Sequence, residues 1–322
     1  MTDSAVIDRG SAERVYAVGT RGSALALTQT TAVCAAVRGL RPGTRVRLER
    51  ITTKGDVLTD VPLSVLGGRG VFVDAIEEAL REERIDLAVH SAKDLPSTIA
   101  PDLAIAAFLE RADPRDVLIS RAGTLAELPR GARVGTSSQR RACQLRAARP
   151  DLETVDLRGN VDTRLRKLDA GDYDAIVLAA AGLQRLGLTD RVTEWLPFEL
   201  MLPAPGQGAL AIEVRASDAA LRSLLRPLAH APTEAALLAE RAFLARLGAG
   251  CAAAVGAYAE LVEPDTLRLT AMIGAPDGHA IVRGKDHRSP GAASALGAAL
   301  AERLLADGGC TLLEQAGWRA SG

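Results

Sequence analysis

Apolar positions along the chain follow two periods that take turns. Short runs rich in Val, Ile and Leu are followed by longer stretches in which apolar residues recur every three to four positions, and this alternation predicts βα units. Val15–Val18 reads as a strand, Thr20–Ser23 as a polar turn, and Ala24–Val37 as a helix closed by Gly39 and Pro42. The next strand, Arg45–Ile51, ends in TTKGD, and a glycine-rich loop, Gly67–Gly70, leads into a helix over Phe72–Arg81. Asp86–His90, Leu103–Phe108 and Val117–Ser120 follow as strands. ERADPRD separates the last two, and its charge and proline suit a crossing between domains.

A second unit repeats the plan with strands at Arg133–Gly135, Thr154–Leu157 and Asp174–Ala179, each followed by a helical pattern. Such alternation argues for a mostly parallel, doubly wound sheet in each unit. A proline-rich second crossing, LPFELMLPAPGQG, precedes the apolar run Ala209–Val214, which is free to return to the first sheet. From about Pro227 the pattern changes to a small α+β unit. It has a helix over Thr233–Leu247 stopped by Gly248, strands at Gly256–Val262, Leu267–Ile273 and Ala280–Arg283, and a last helix near Ala292–Leu305. APDGH between the last two strands is a hairpin signal.

Length and composition narrow the classes. At 322 residues, two or three domains are expected. With 39 Lys and Arg against 40 Asp and Glu, and aromatics at 3% that interleave with no basic loop, nothing points to nucleic acid. Four scattered cysteines and four scattered histidines frame neither a zinc site nor a disulfide scaffold. No apolar segment opens the chain and no run approaches a membrane span, so the expectation is a cytoplasmic protein with residues 1–13 as a flexible extension.

Candidate chemistry gathers where strands hand over to helices. In DLAVHSAKDLPST an apolar strand opens onto Lys93 and Asp94, and Pro96 prevents the element from continuing. The carboxyl ends of strands are where α/β proteins bind ligands, so Asp94 is a candidate reactive group, with a surface ion pair as the plain alternative. The other junctions are TRGS, TTKGD, GTSSQRR, LRGNVDTR and AAGLQR, and each carries at least one Arg or Lys. In GTSSQRR, Ser137 or Ser138 would cap a helix and place Arg140 and Arg141 in its first turn, the wrong sign for the helix dipole unless an anion sits there. Asn160 would cap a second helix, with Arg158 before the cap and Arg164 inside it. Any single arginine is read as solvated surface, but the set at one end of both units reads as a polyanion cleft between two domains. Bidentate arginines suit carboxylates, and no phosphate loop is present. Cys251, in LGAGCAAAVG, lies between glycines in a loop and is a candidate nucleophile or attachment point, whereas Cys34, Cys143 and Cys310 read as buried small residues.

These motifs, in order through nearly the whole chain, resemble the porphobilinogen deaminase (hydroxymethylbilane synthase) family. The series runs TRGSALALTQ, KGD, GGRGVFV, LAVHSAKDLP, ERADPRD, VGTSSQRRACQL, LRGNVDTRLRKL, DAIVLAAAGLQRLGL, LPAPGQGALAIE, AERAFL and the Gly-Cys loop followed by VGAYAEL. Two departures stand out: AAAVG after Cys251 lacks the family's usual proline, and Arg69 replaces a usual lysine.

The resemblance implies two periplasmic-binding-protein-like doubly wound domains, 14–110 with 205–228 and 111–204, plus a small C-terminal α+β domain, 229–322. It implies a transferase that joins four porphobilinogen molecules head to tail with loss of ammonia, giving linear hydroxymethylbilane for tetrapyrrole biosynthesis. It further implies a dipyrromethane cofactor in thioether linkage to Cys251, with Asp94 as catalytic aspartate. By the same matching Lys93, Ser138, Arg140, Arg141 and Arg164 would hold the cofactor. Arg21, Ser23, Arg158 and Arg185, with Gln29, Phe72 and Gln207, would meet the substrate. No metal, nucleic acid or membrane is implied, and a monomer is. The alternative from another class is a carboxylate-binding receptor on the same fold, in which Asp94 and Cys251 have no role. Schiff-base chemistry at Lys93 is a further enzyme alternative, opposed by the charge of Asp94.

Overall fold

The computed structural model describes residues 15–41, 43–53, 73–248 and 253–317. The N-terminal extension, Lys54, the Gly67–Gly70 loop, Phe72 and Cys251 lie outside these residues.

The first sheet has the order β2-β1-β3-β10-β4, from β1 (Val15–Thr20), β2 (Arg45–Arg50), β3 (Leu87–Ser91), β4 (Leu103–Phe108) and β10 (Leu210–Arg215). The second has the matching order β7-β6-β8-β5-β9, from β5 (Asp116–Ser120), β6 (Arg133–Gly135), β7 (Glu153–Val155), β8 (Ala175–Ala179) and β9 (Glu194–Trp195). β1 runs parallel to β2 and β3, and β6 runs parallel to β7 and β8. In each sheet one strand is antiparallel to both neighbours: β10 in the first and β5 in the second. These are the strands that enter from the crossings, each inserted into its sheet by chain arriving from the other lobe. The fold class is therefore the expected one of two doubly wound lobes, with the Ala209–Val214 run returning to the first. The central strands read as continuous apolar runs because helices cover both faces.

Helices fill the connections: α1 (Ala24–Leu40), α2 (Asp74–Arg81), α3 (Gln139–Ala148), α4 (Val161–Asp169), α5 (Ala180–Leu186) and α6 (Ala219–Leu225). Ser23 caps α1 by accepting from the Ala26 amide at 3.3 Å. Gly39 does not close that helix as expected; it lies in the last turn, and the chain leaves helical geometry at Arg41.

A third body holds the antiparallel sheet β11 (Ala254–Glu263), β12 (Thr266–Gly274) and β13 (Ile281–Arg288), with α7 (Ala231–Leu247), α8 (Ala293–Leu304) and α9 (Cys310–Gln315). Gly248 ends α7 in the left-handed conformation, and the APDGH turn joins β12 to β13 with Gly274 opposite Ile281. β13 runs five residues beyond the expected strand because IVRGKDHR is too polar to show a period. β9, α6 and α9 were not expected at all. Cys310 opens α9 half-exposed, where a buried residue was expected.

The crossings are fixed by this third body. Glu240 of α7 is fully buried and accepts from Arg111 Nη1 at 2.6 Å, from the Gly206 amide at 2.6 Å and from the Ala259 amide at 2.8 Å. Arg111 also donates through Nε to the Gln207 carbonyl at 2.8 Å. Gly206 has φ +78°, and a Cβ there would stand 2.9 Å from the Ala92 carbonyl carbon and the Lys93 nitrogen. Only glycine lets the second crossing press directly on the backbone of the Asp94 turn.

Candidate active site

A cavity of about 590 Å³ opens between the lobes at the carboxyl ends of β1, β3 and β8. Such strand ends leave loop backbone and side chains free to meet a ligand. From the first lobe come Arg21 and Ser23 after β1, Gln29 on α1, and Lys93 and Asp94 on the short 3₁₀ turn Ala92–Asp94 after β3. From the second come Arg158, Arg164, Arg185 and Arg141. Six cationic side chains thus face a single carboxylate among the described residues.

Local rules place these groups. Asn160 caps α4 by accepting from the Thr163 amide at 3.0 Å, which aims the first turn, with Arg164, into the cavity. Arg164 donates to the Gly159 carbonyl at 2.7 Å, and Arg185 to the Gly208 carbonyl at 2.6 Å. Gln29 reaches Ser91 Oγ at 3.2 Å, tying α1 to the end of β3. Arg241 of α7 donates to the Pro96 and Ser97 carbonyls at 2.8 and 3.2 Å and holds the exit of the Asp94 turn.

Asp94 itself is exposed to the cavity, and no described residue donates a hydrogen bond to it. Burial lowers the pKa of Lys93 to about 8; Asp94 opposes this shift and Arg141 adds to it. Burial therefore outweighs the neighbouring carboxylate, contrary to the expectation that Asp94 dominates, yet Lys93 remains a cation at neutral pH. Arg164 is likewise brought down to about 10 by burial and by the charges of Arg141 and Arg158, and Arg185 is lowered by burial. Cations lowered by burial and by one another are what an anion-binding cavity shows before its anion arrives.

Three expected site residues do not line the cavity. Ser138 caps α3, accepting from the Arg141 amide at 3.4 Å. Arg140 and Gln207 turn instead to Asp116, a carboxylate of the protein. Arg140 Nη1 meets Asp116 Oδ2 at 2.7 Å and the Leu202 carbonyl at 2.7 Å. Arg141 meets Asp116 Oδ1 at 2.6 Å, and Gln207 Nε2 meets the same oxygen at 2.9 Å. Asp116 is 0% exposed; burial alone would raise its pKa, but the two guanidinium groups hold it well below the usual carboxylate range. The wrong-sign cations at the start of α3 do answer an anion, and that anion is internal for Arg140. Arg141 does both, pairing with Asp116 while lining the cavity.

Sequence reasoning missed Asp116 and Ser91. The signal for Asp116 was a carboxylate opening an otherwise apolar strand, DVLIS, where burial demands a charged partner. Ser91 lacked any signal beyond its place at the end of β3. Phe72 and Cys251 lie outside the described residues. Among the described residues, no cluster of His, Cys, Asp or Glu is arranged to hold a metal, and no helix is long and apolar enough to cross a membrane.

Fold and cavity together define a two-lobed α/β protein that, among the described residues, presents one free carboxylate inside a cationic chamber sized for a small polycarboxylate. The family model described as porphobilinogen deaminase, dipyromethane cofactor binding domain, matches residues 16–223, and that of the porphobilinogen deaminase C-terminal domain matches 235–306. A porphobilinogen deaminase of Roseiflexus castenholzii is 58% identical over 297 residues, covering 92% of this chain and 97% of its own. One of Syntrophobacter fumaroxidans is 48% identical over 304 residues, covering 94% and 98%. Among solved structures, the periplasmic aliphatic sulphonate binding protein SsuA of Escherichia coli aligns with TM-score 0.40 at 16% identity, covering 73% of this chain and 70% of that one. The chain belongs to the porphobilinogen deaminase family, a family of transferases that form hydroxymethylbilane.

Proposed function

We propose that the protein is a working hydroxymethylbilane synthase that condenses four porphobilinogen molecules head to tail and releases ammonia at each step. The observation that carries this reading is the chamber itself: among the described residues, six cations line it around one aspartate to which none of them is hydrogen-bonded. Each pyrrole brings an acetate and a propionate, so a growing oligomer is a polycarboxylate whose charges match these cations, and the volume of about 590 Å³ is that of a pocket for a small molecule.

The donor set equally suits a dipyrromethane group. When bound, that group supplies the pyrrole carbon on which the chain grows. Lys93, Arg141 and Arg164 would hold its carboxylates, and Cys251 would carry it in thioether linkage. Arg21, Ser23, Arg158, Arg185 and Gln29 would receive the incoming substrate. Asp94 sits where positive charge develops as ammonia leaves, so its carboxylate stabilises that charge and accepts the proton given up by carbon. Arg140, Ser138 and Gln207 act from behind, by holding Asp116 and the start of α3. The three separate sheets support domains at 14–110 with 205–228, 111–204 and 229–322. The reading includes a cytoplasmic monomer with porphobilinogen as small-molecule substrate.

Intact mass of the denatured chain, beside a Cys251→Ser variant, tests it. The expected result is a mass excess of two linked pyrroles that is absent from the variant. An unmodified mass that persists after incubation with porphobilinogen would favour the carboxylate-receptor alternative.

A further inference from the structure

Behind the Asp94 turn lies a buried pair that none of these roles uses. Glu213 on β10 is 0% exposed and His90 on β3 is 5% exposed, with His90 Nε2 3.0 Å from Glu213 Oε2. Ala211 is the register partner of His90, and Glu213 that of Ala88, so the two side chains are diagonal neighbours on one face of the sheet. The β10–β4 register slips between Ile212 and Glu213, a bulge of the kind that re-aims a side chain. A carboxylate buried on an apolar strand carries a desolvation cost of several kcal/mol, so its presence calls for a function.

A carboxylate accepts, so the pair puts the ring hydrogen on Nε2 and leaves a lone pair on Nδ1. Nδ1 has no hydrogen-bond partner among the described residues, and neither has Glu213 Oε1. His90 also lines a cavity of about 30 Å³ together with Asp94, Ser91, Gln29 and Arg21. That volume holds one or two waters, and its wall supplies the polar partners they need. The charged groups around the pair come from every side. Glu77 on α2 has its pKa raised by burial and by Glu213, and it accepts from Arg81 at 3.0 Å. Arg241 on α7 is lowered by burial and opposed by Glu213. Arg21 and Asp94 face the pair across the cavity.

We propose that His90, oriented by Glu213, relays the protons handled by Asp94 through water in this small cavity. The proposal rests on the reading of Asp94 given above. In each condensation a C–C bond forms, the C–N bond breaks with its electron pair leaving on ammonia, and a C–H bond breaks with its pair returning to the ring. The proton from carbon passes to the Asp94 carboxylate, then through cavity water to His90 Nδ1, where the imidazolium is held against Glu213; it is released from the same Nδ1 to cavity water and on to solvent, where it meets the departed ammonia as ammonium. As the oligomer lengthens it fills the large chamber, whereas the small cavity lies on the α2 side of the turn. His90 is thus a positioning and relay residue that does not touch substrate.

The test uses the full chain labelled with ¹⁵N-histidine, in which only four imidazoles are present. His90 is expected as the Nε2–H tautomer, and Asp94→Asn should move its signals while those of His230, His279 and His287 stay in place. His90→Gln keeps an N–H toward Glu213 but cannot take up and pass on a proton. It should lower kcat about 10- to 100-fold with KM unchanged, enlarge the solvent deuterium effect, and recover in part with added imidazole. If His90→Gln does not fold, Glu213→Leu replaces it and should abolish the tautomer preference, because leucine offers no acceptor to Nε2–H. Wild-type kcat in the folded variant, an Nδ1–H tautomer, or His90 signals indifferent to Asp94→Asn would each overturn the relay. Near-normal turnover of Asp94→Asn is a separate failure, that of the Asp94 reading itself.

Discussion

Asp94 stands at a strand end of the first lobe and Asp116 at a strand end of the second, and their surroundings are opposite. Asp116 is sealed, with Arg140, Arg141 and Gln207 all turned toward it. Asp94 looks into open volume, surrounded by cations at a distance and bonded to none among the described residues. A carboxylate neutralised by two guanidiniums has no charge left to offer a substrate, and its work is to fix the start of α3 and the first crossing. A carboxylate left unpaired in a positive chamber keeps its charge for whatever enters. The comparison teaches that an arginine at a strand end reports an anion without saying whose anion it is.

The largest effect expected from breaking this contrast is on stability. Asp116→Asn would leave Arg140 and Arg141 buried with their shared counter-charge gone, a loss of about 3–5 kcal/mol. Thermal unfolding should shift down by on the order of ten degrees, or the variant should fail to fold. An unchanged unfolding temperature would show that the buried ion cluster is not what holds the two lobes' junction.

A smaller effect sharpens the chamber side of the comparison. Lys93 is a cation below its lowered pKa of about 8 and loses its charge above it. Binding of a pyrrole polycarboxylate should therefore be strong below that pH and weaken by about tenfold as pH rises through it, the worth of one charge-assisted contact. Stability moves the other way. Between about 8 and the ordinary 10.5 the unfolded chain holds a proton that the folded one lacks, so folding gains as pH rises through that window. Calorimetric titrations of wild type and Lys93→Met across this range check both signs; Lys93→Met should show no break near pH 8.

What could be read from the sequence was what local rules decide. The Lys93–Asp94 turn was visible because Pro96 stops an apolar strand, the α4 start because Asn160 is a strong cap, and the β12–β13 hairpin because APDGH is turn chemistry. The partner of Arg140 was not visible. The sign argument at the start of α3 correctly demanded an anion, but Asp116 lies 24 residues upstream and meets it only after β5 has entered the second sheet from the crossing. His90 and Glu213 were hidden for the same reason, being 123 residues apart and joined only by the return of β10. β9 failed to show because two residues carry no period.

The most direct test of the contrast is turnover and unfolding temperature measured together on Asp94→Asn. The account predicts a chain that unfolds like the wild type and still carries its bound pyrroles, with kcat down by a factor of about 10² to 10⁴. Near-normal turnover, or a fall in unfolding temperature comparable to that of Asp116→Asn, would contradict it by making Asp94 one more structural carboxylate.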